Sequence, residues 1–568
     1  MRSTRAVVAV VLAASLSLAG CAGSRVAKDN ADNNANAPGS AGGSAEAGGG
    51  VVAQLNFPSD ADASVGNLVN YNPYSPKPIT SNWLFEPLMI QNGVTCDVTP
   101  WLATKFTWEG ATKLTFDIRD GVKWSDGQAF SAKDVAFTFN LAKKYPALDA
   151  GGVWTDTFGK KAESVEAKGN QVVFTFTGNA APKFQGIISQ KILPEHVYSK
   201  VGDPTKYVDK DPVSTGPFKV GSYNGRRLEL VRRDDYWQAD KIKVQKLVLE
   251  GTYEAPQAAA KLSAGGLDAY WGEIPNPQKT FVDKDPATNH FWYAPDGINV
   301  LTLNLTKAPF NDPKFREGLS YAMDKDQMSL KATYDIMKPA SQSGLKMPLM
   351  AKMLPDGMTP ESTVLPYDIA KANQLLDAAG YAKGSDGFRS NKDGSPLAVT
   401  FSVQAGWIDF QAMADVIVAG MKAAGLNAKV VQSAPDSVDQ QKKSGDFDAM
   451  IEYLAGGCDF ARGLGGKLTS TNFPTKTDVK SNVERFKDAA TDKTVEDLAG
   501  TIEPAQQKKY LDELVTTMMT QYPVTSLIYA PARIIFRTDH AVGWPTEQDP
   551  YAHPYADNLV IMTHLTAP

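Results

Sequence analysis

The chain has 568 residues, 43% hydrophobic and 10% aromatic, which fits well-packed globular structure in more than one domain. Its formal net charge of −5 argues against a nucleic-acid binder, which should be basic. Beyond the N-terminus no apolar run reaches the ~18 residues that a membrane span needs.

Arg2 and Arg5 precede an almost wholly apolar run from Ala6 to Leu18. That run matches a signal-peptide core and is too short to cross a bilayer. Leu18-Ala19-Gly20-Cys21 follows, with small residues directly before a cysteine. The segment resembles a bacterial lipobox, which implies a signal peptide over 1–20 and lipid attachment at Cys21. Two acyl chains already hold a protein on a membrane stably. Residues 21–50 carry no aromatic side chain and little apolar bulk, so they are expected to form a flexible tether. The expected location is the outer face of the cytoplasmic membrane.

Val51 to Leu55 reads as a first strand, and Asn70 to Pro76 (NYNPYSP) as a rigid turn segment. A short helix over Ser81 to Met89 is expected to pack Trp83, Leu84 and Leu88. Leu114, Phe116 and Ile118 alternate with polar neighbours, the pattern of a half-buried strand, and a turn at Asp126-Gly127 follows. Ser131 is placed to cap a helix carrying Val135, Phe137, Phe139 and Leu141. QVVFTFT and LELVRRDDYW read as strands, the second leading to an aromatic anchor at Tyr236-Trp237. A second region begins near GINVLTLNL, a buried strand. Asp312 and Pro313 open a helix, and Gly380 ends another. Strand and helix then alternate to residue 455, as expected of a sheet flanked by helices.

The chain shows no GxSxG elbow, no P-loop, no CxxC and no paired-histidine cluster among His196, His290, His540, His553 and His564. Binding is therefore favoured over catalysis, and neither a metal nor a cofactor is expected. With Cys21 lipidated, Cys96 and Cys458 remain. They form either a disulfide or two unrelated thiols.

The stretch Trp101 to Phe139 closely resembles the signature of family 5 extracellular solute-binding proteins. STGPFKVGSY, DDYW, AAAKLSAGGLDAYW and LNLTKAPFNDPKFREGLSYAMDKDQM follow in the family's order. The resemblance implies an α/β, two-lobe periplasmic-binding-protein fold (type II, cluster C-like) with an extra inserted domain. Lobe I would comprise 51–76, 213–295 and 525–568, the inserted domain 77–212, and lobe II 296–524. It also implies an ABC importer with permease subunits as partners, and a monomer. Trp124, the Ser125-Asp126-Gly127 turn, Arg316 and Asp324 read as structural.

The cargo is expected to be an oligopeptide-type solute, with an oligosaccharide as the close alternative and an exported hydrolase as a distant one. Peptide-binding members use an aspartate after an FD strand, and Asp459 is the candidate here, displaced by two positions. AGWIDF and FVDKDPATNHFWYAP resemble the oligosaccharide branch. Trp407, Trp83 and Trp271 could stack on sugar rings, and Asp409, Asn70 and Asn72 could bond hydroxyls. Each has a competing role in packing, capping or turn formation.

Overall fold

A computed structural model describes residues 49–59, 70–75, 81–157, 159–251 and 253–568. Cys21 and the tether up to residue 48 lie outside the described residues. Among those described, no helix is long and apolar enough to cross a membrane.

The alternation at Lys113–Ile118 is realised as written, with Leu114, Phe116 and Ile118 buried. This strand sits in a four-stranded antiparallel sheet with Ala103–Glu109, Gln171–Phe176 and Ala162–Lys168. Helix Ala132–Lys144 packs on it, and Phe139 meets Phe174 edge-on at 4.8 Å. The helix starts where Ser131 offers its hydroxyl to Lys133 N, while the Asp134 carboxylate takes the Ser131 N–H at 2.8 Å. These bonds satisfy donors that a helix start leaves unpaired. This unit lies within the stretch expected to form the inserted domain.

It shares a hydrophobic core with lobe I, and one buried carboxylate bridges the two. Glu86 accepts from Trp101 Nε1 at 2.6 Å, Tyr236 Oη at 2.7 Å and Trp237 Nε1 at 3.2 Å. Burial raises its carboxyl above the usual range, and these donors pull the other way. The aromatic anchor is thus an anchor to a buried acid. Lobe I has its own four-stranded sheet, in which Leu55–Phe57 pairs in parallel with Lys246–Glu250, followed by Arg227–Arg232 and Phe218–Tyr223. The first strand therefore starts at Leu55 rather than at Val51, which lies outside it.

A six-stranded sheet joins lobe I to lobe II. Its order is Ala269–Tyr270, Thr525–Arg537, Asn289–Leu303, Ala449–Ala455, Ala398–Gln404 and Asn427–Ser433. The two long strands, Asn289–Leu303 and Thr525–Arg537, run antiparallel through both lobes. GINVLTLNL is thus the second half of a 15-residue strand rather than a new start. Before the crossing, Trp292, Ala294, Ala532 and Ile534 pack into the core of lobe I. Beyond it, Ile298, Val300 and Tyr529 enter one lobe II core, and Leu301, Leu303 and Leu527 another.

The hydrogen-bond ladder is interrupted at the crossing. Pro295 stands directly opposite Pro531, and the register shifts twice just beyond it, between Pro295 and Gly297 and between Ile298 and Val300. Neither proline has an N–H to give to the ladder, and bulges bend the strand that carries them.

In lobe II, Asp312 caps helix Pro313–Ser320 by accepting from Lys314 N at 2.9 Å, and Asp324 caps Lys325–Thr333. Arg316 donates to the carbonyls of Phe310, Gln521 and Tyr522. It thereby satisfies carbonyls that end helix Pro504–Gln521 and would otherwise lack partners.

Candidate functional site

Two features meet at the crossing. The first is a cavity of about 1000 Å³. Lobe I lines it with Phe291, Trp292, Tyr293, Phe536 and Trp544, and lobe II with Met337 and Met347; Tyr529 stands at the crossing itself. These make an apolar and aromatic floor. The exposed Asp335, Lys338, Glu361 and Glu547 set both signs of charge around its lining. The volume is at the upper end of small-ligand sites, and such sites combine an apolar wall with a few polar groups.

The second is a polar knot that ties the lobes together. Pro295 lines the cavity, and the next residue, Asp296, belongs to the knot. Asp296 accepts from Tyr453 Oη at 3.2 Å and meets His553 Nε2 at 3.2 Å. His553 Nδ1 lies 3.2 and 3.1 Å from the N–H groups of Tyr555 and Ala556. It can only accept there, so the ring proton is assigned to Nε2, which donates to Asp296. This donor, with a smaller contribution from Lys346, holds the Asp296 carboxyl below the usual range. Lys346 reaches from lobe II to the Gly93 carbonyl of the inserted domain. Burial lowers its ammonium to about 8, with Asp296 opposing the shift. A Cβ on Gly93 would stand 3.0 Å from the His553 ring, a tight contact.

A covalent bond stands beside the knot. Cys96 and Cys458 form a disulfide with Cα atoms 5.3 Å apart. Cys96 lies between strands Met89–Gln91 and Val98–Pro100, with φ at 69°, a region few non-glycine residues adopt. Cys458 follows strand Ala449–Ala455 of lobe II. One residue on, Asp459 forms an ion pair with Arg462 at 3.1 Å, and burial raises its carboxyl above the usual range. Arg462 also donates to the Pro182 carbonyl of the inserted domain at 2.7 Å.

The residues singled out from sequence fall elsewhere in part. Asp459 stands at the seam, already paired. Trp83 is a core residue stacked on Phe57 at 5.7 Å. Trp271 packs edge-on to Phe57 and donates to the Pro554 carbonyl at 2.8 Å. Asn70 accepts from Asn72 N and Asp209 N, and the buried Asn72 donates to the carbonyls of Pro204 and Tyr207. Trp407 is 47% exposed at the start of helix Ile408–Ala423, edge-on to Phe410. Asp409 accepts from the adjacent Phe410 N. None of these is among the cavity's lining residues. Sequence reasoning missed Asp296, Lys346, Tyr453 and His553, which come from distant segments with no shared motif.

One group of possible metal ligands occurs among the described residues, Asp268, Asp539 and His540. Its members are already engaged: Asp268 with Asn56 N and His540 Nδ1, and Asp539 with Arg537.

Residues 97–464 match the family described as "Bacterial extracellular solute-binding proteins, family 5 Middle". The nickel-binding periplasmic protein of Escherichia coli K12 is 23% identical over 489 residues, 83% of this chain and 89% of that protein. The dipeptide-binding protein of the same organism is 28% identical over 382 residues, 63% of this chain and 67% of that one. A periplasmic oligopeptide-binding protein of an ABC transporter from Thermotoga maritima superposes with a TM-score of 0.76 at 21% identity, covering 91% of this chain and 99% of its own. The same Thermotoga maritima protein with mannohexaose bound gives 0.66 at 20% identity, again covering 91% and 99%. With the family match spanning well over half of the chain and the two-lobe fold shared, the protein belongs to the family 5 bacterial extracellular solute-binding proteins.

Proposed function

We propose that the chain captures an oligopeptide-type solute between its two lobes and hands it to the membrane subunits of an ABC importer. The observation that carries this reading is the cavity at the crossing, lined from both lobes, with an aromatic floor and charges of both signs. A short peptide presents the matching groups, an ammonium, a carboxylate and apolar side chains. Binding that touches both lobes selects the closed arrangement. The domain bounds given above, action as a monomer and the absence of catalysis belong to the same reading. Native mass spectrometry of freshly purified protein tests it: a retained peptide mass is expected. In calorimetric titration with that peptide, Lys338→Ala and Glu547→Ala should each weaken binding; unchanged affinity in both would remove the cavity from the reading.

An oligosaccharide is the second reading, favoured by the neighbour with mannohexaose bound and by Trp292 and Trp544 in the lining. A retained sugar mass would put it first.

The chain is held at the outer face of the membrane through lipid on Cys21. The lipobox-like order at residues 18–21 supports this. Cys21→Ala should release the protein from the membrane fraction; full retention would refute the anchor.

A further inference from the structure

The lobes are joined by two strands that cross at paired prolines, and by a seam on which several contacts converge. Lys346 to the Gly93 carbonyl, His553 to Asp296, and Arg462 to the Pro182 carbonyl are all non-covalent. They break and reform as lobes part. Cys96–Cys458 does not. Cys96 belongs to the loop whose Val94 is buried in the core shared by lobe I and the inserted domain. Cys458 packs beside Phe460, Ala461 and Leu464 of a lobe II core. Their Cα atoms are 5.3 Å apart, and a disulfide cannot join Cα atoms more than about 7 Å apart without backbone movement. The bond therefore confines opening at this edge to about 2 Å, the difference between these two distances. Both cysteines are half-buried rather than sealed, so a small thiol can reach them.

We propose that Cys96–Cys458 is a redox latch on the interlobe seam: it restrains the lobes from parting there, and an external dithiol reductant releases them. The proposal rests on the interlobe-capture reading. One thiolate of the dithiol attacks a sulfur of the latch, forming a mixed disulfide and expelling the other cysteine as a thiolate, which takes up a proton. The second thiol of the dithiol then attacks the mixed disulfide. The reductant leaves as a disulfide, having given two electrons and two protons, and Cys96 and Cys458 are left as thiols.

The test compares three forms of the whole chain by small-angle scattering without added cargo: oxidised, reduced with dithiothreitol, and Cys96→Ser/Cys458→Ser. Alkylation followed by mass measurement should show two more labels on the reduced form than on the oxidised one. The reduced form and the double variant should have a larger radius of gyration than the oxidised form. Their amides over 92–97 and 456–463 should lose hydrogen-exchange protection. A melting curve for each form separates opening from unfolding. Should the double variant fail to fold, reduction of the folded chain makes the same comparison. Equal opening in every form, the oxidised one included, overturns the latch and leaves lobe closure standing. Absence of opening in every form overturns the latch together with closure.

Discussion

Lys325 begins a helix with its ammonium buried and no hydrogen-bond partner for Nζ among the described residues. Burial lowers it to about 7, and Asp326 only partly opposes the shift. The unfolded chain keeps its proton up to about 10.5. Between these values the unfolded state binds more protons than the folded one, so stability rises with pH across that window and is lost as pH falls through about 7. Lys325→Met should raise the melting temperature at pH 7 and flatten the rise between pH 7 and 10; an unchanged pH profile would place the ammonium in contact with solvent. The tryptophans separate by the same logic of burial. Trp83→Ala should cost about 3–5 kcal/mol, because it empties a packed site. Trp407→Ala should stay within ~0.5 kcal/mol, as for other surface changes. Denaturant titration of the pair checks both. From sequence these indoles look alike, because residue type reports capacity to stack and not what lies across from it. Asn70 and Asn72 show the same ambiguity: an amide fit for a hydroxyl is equally fit for a turn, and here both amides bond within the loops around them.

Elements whose ends carry their own chemistry were the most legible. Ser131 starts its helix as predicted, with Asp134 completing the cap, and Gly380 stands just past Ile369–Ala378 with φ at 91°. The long crossing strand was only half visible, because proline and glycine at 295 and 297 interrupt its apolar run when the partner strand is unknown. Opposite Pro531 the same residues continue the strand as a bulge. The seam was illegible for a related reason, since Asp296 and His553 are 257 positions apart. One close contact there can be tested directly. A Cβ on Gly456 would stand 2.0 Å from the Asp296 carbonyl oxygen, whereas Gly457 has nothing within 4 Å. Gly456→Ala should therefore destabilise the protein by about 1–3 kcal/mol, and Gly457→Ala should stay within ~0.5 kcal/mol. Equal melting temperatures for the two variants would mean that the loop after Ala455 stands clear of the crossing.

At the scale of the whole molecule, lobe I is assembled from sequence-distant pieces. Leu55–Phe57 pairs with Lys246–Glu250, Ala269–Tyr270 pairs with Thr525–Arg537, and Ala567 N donates to the Gly50 carbonyl at 3.1 Å. That last bond brings residue 50 beside the end of the chain. The described chain is thus nearly a closed ring, and the position of its cut is a matter of genetics rather than of packing. A permutant with Pro568 linked to Gly49 by a few glycines, and new ends between the exposed Asp386 and Gly387, should keep a single cooperative melt. In such a ring the proposed lipid tether need not join at residue 49. Moved to the new ends, it would be joined to lobe II instead of lobe I.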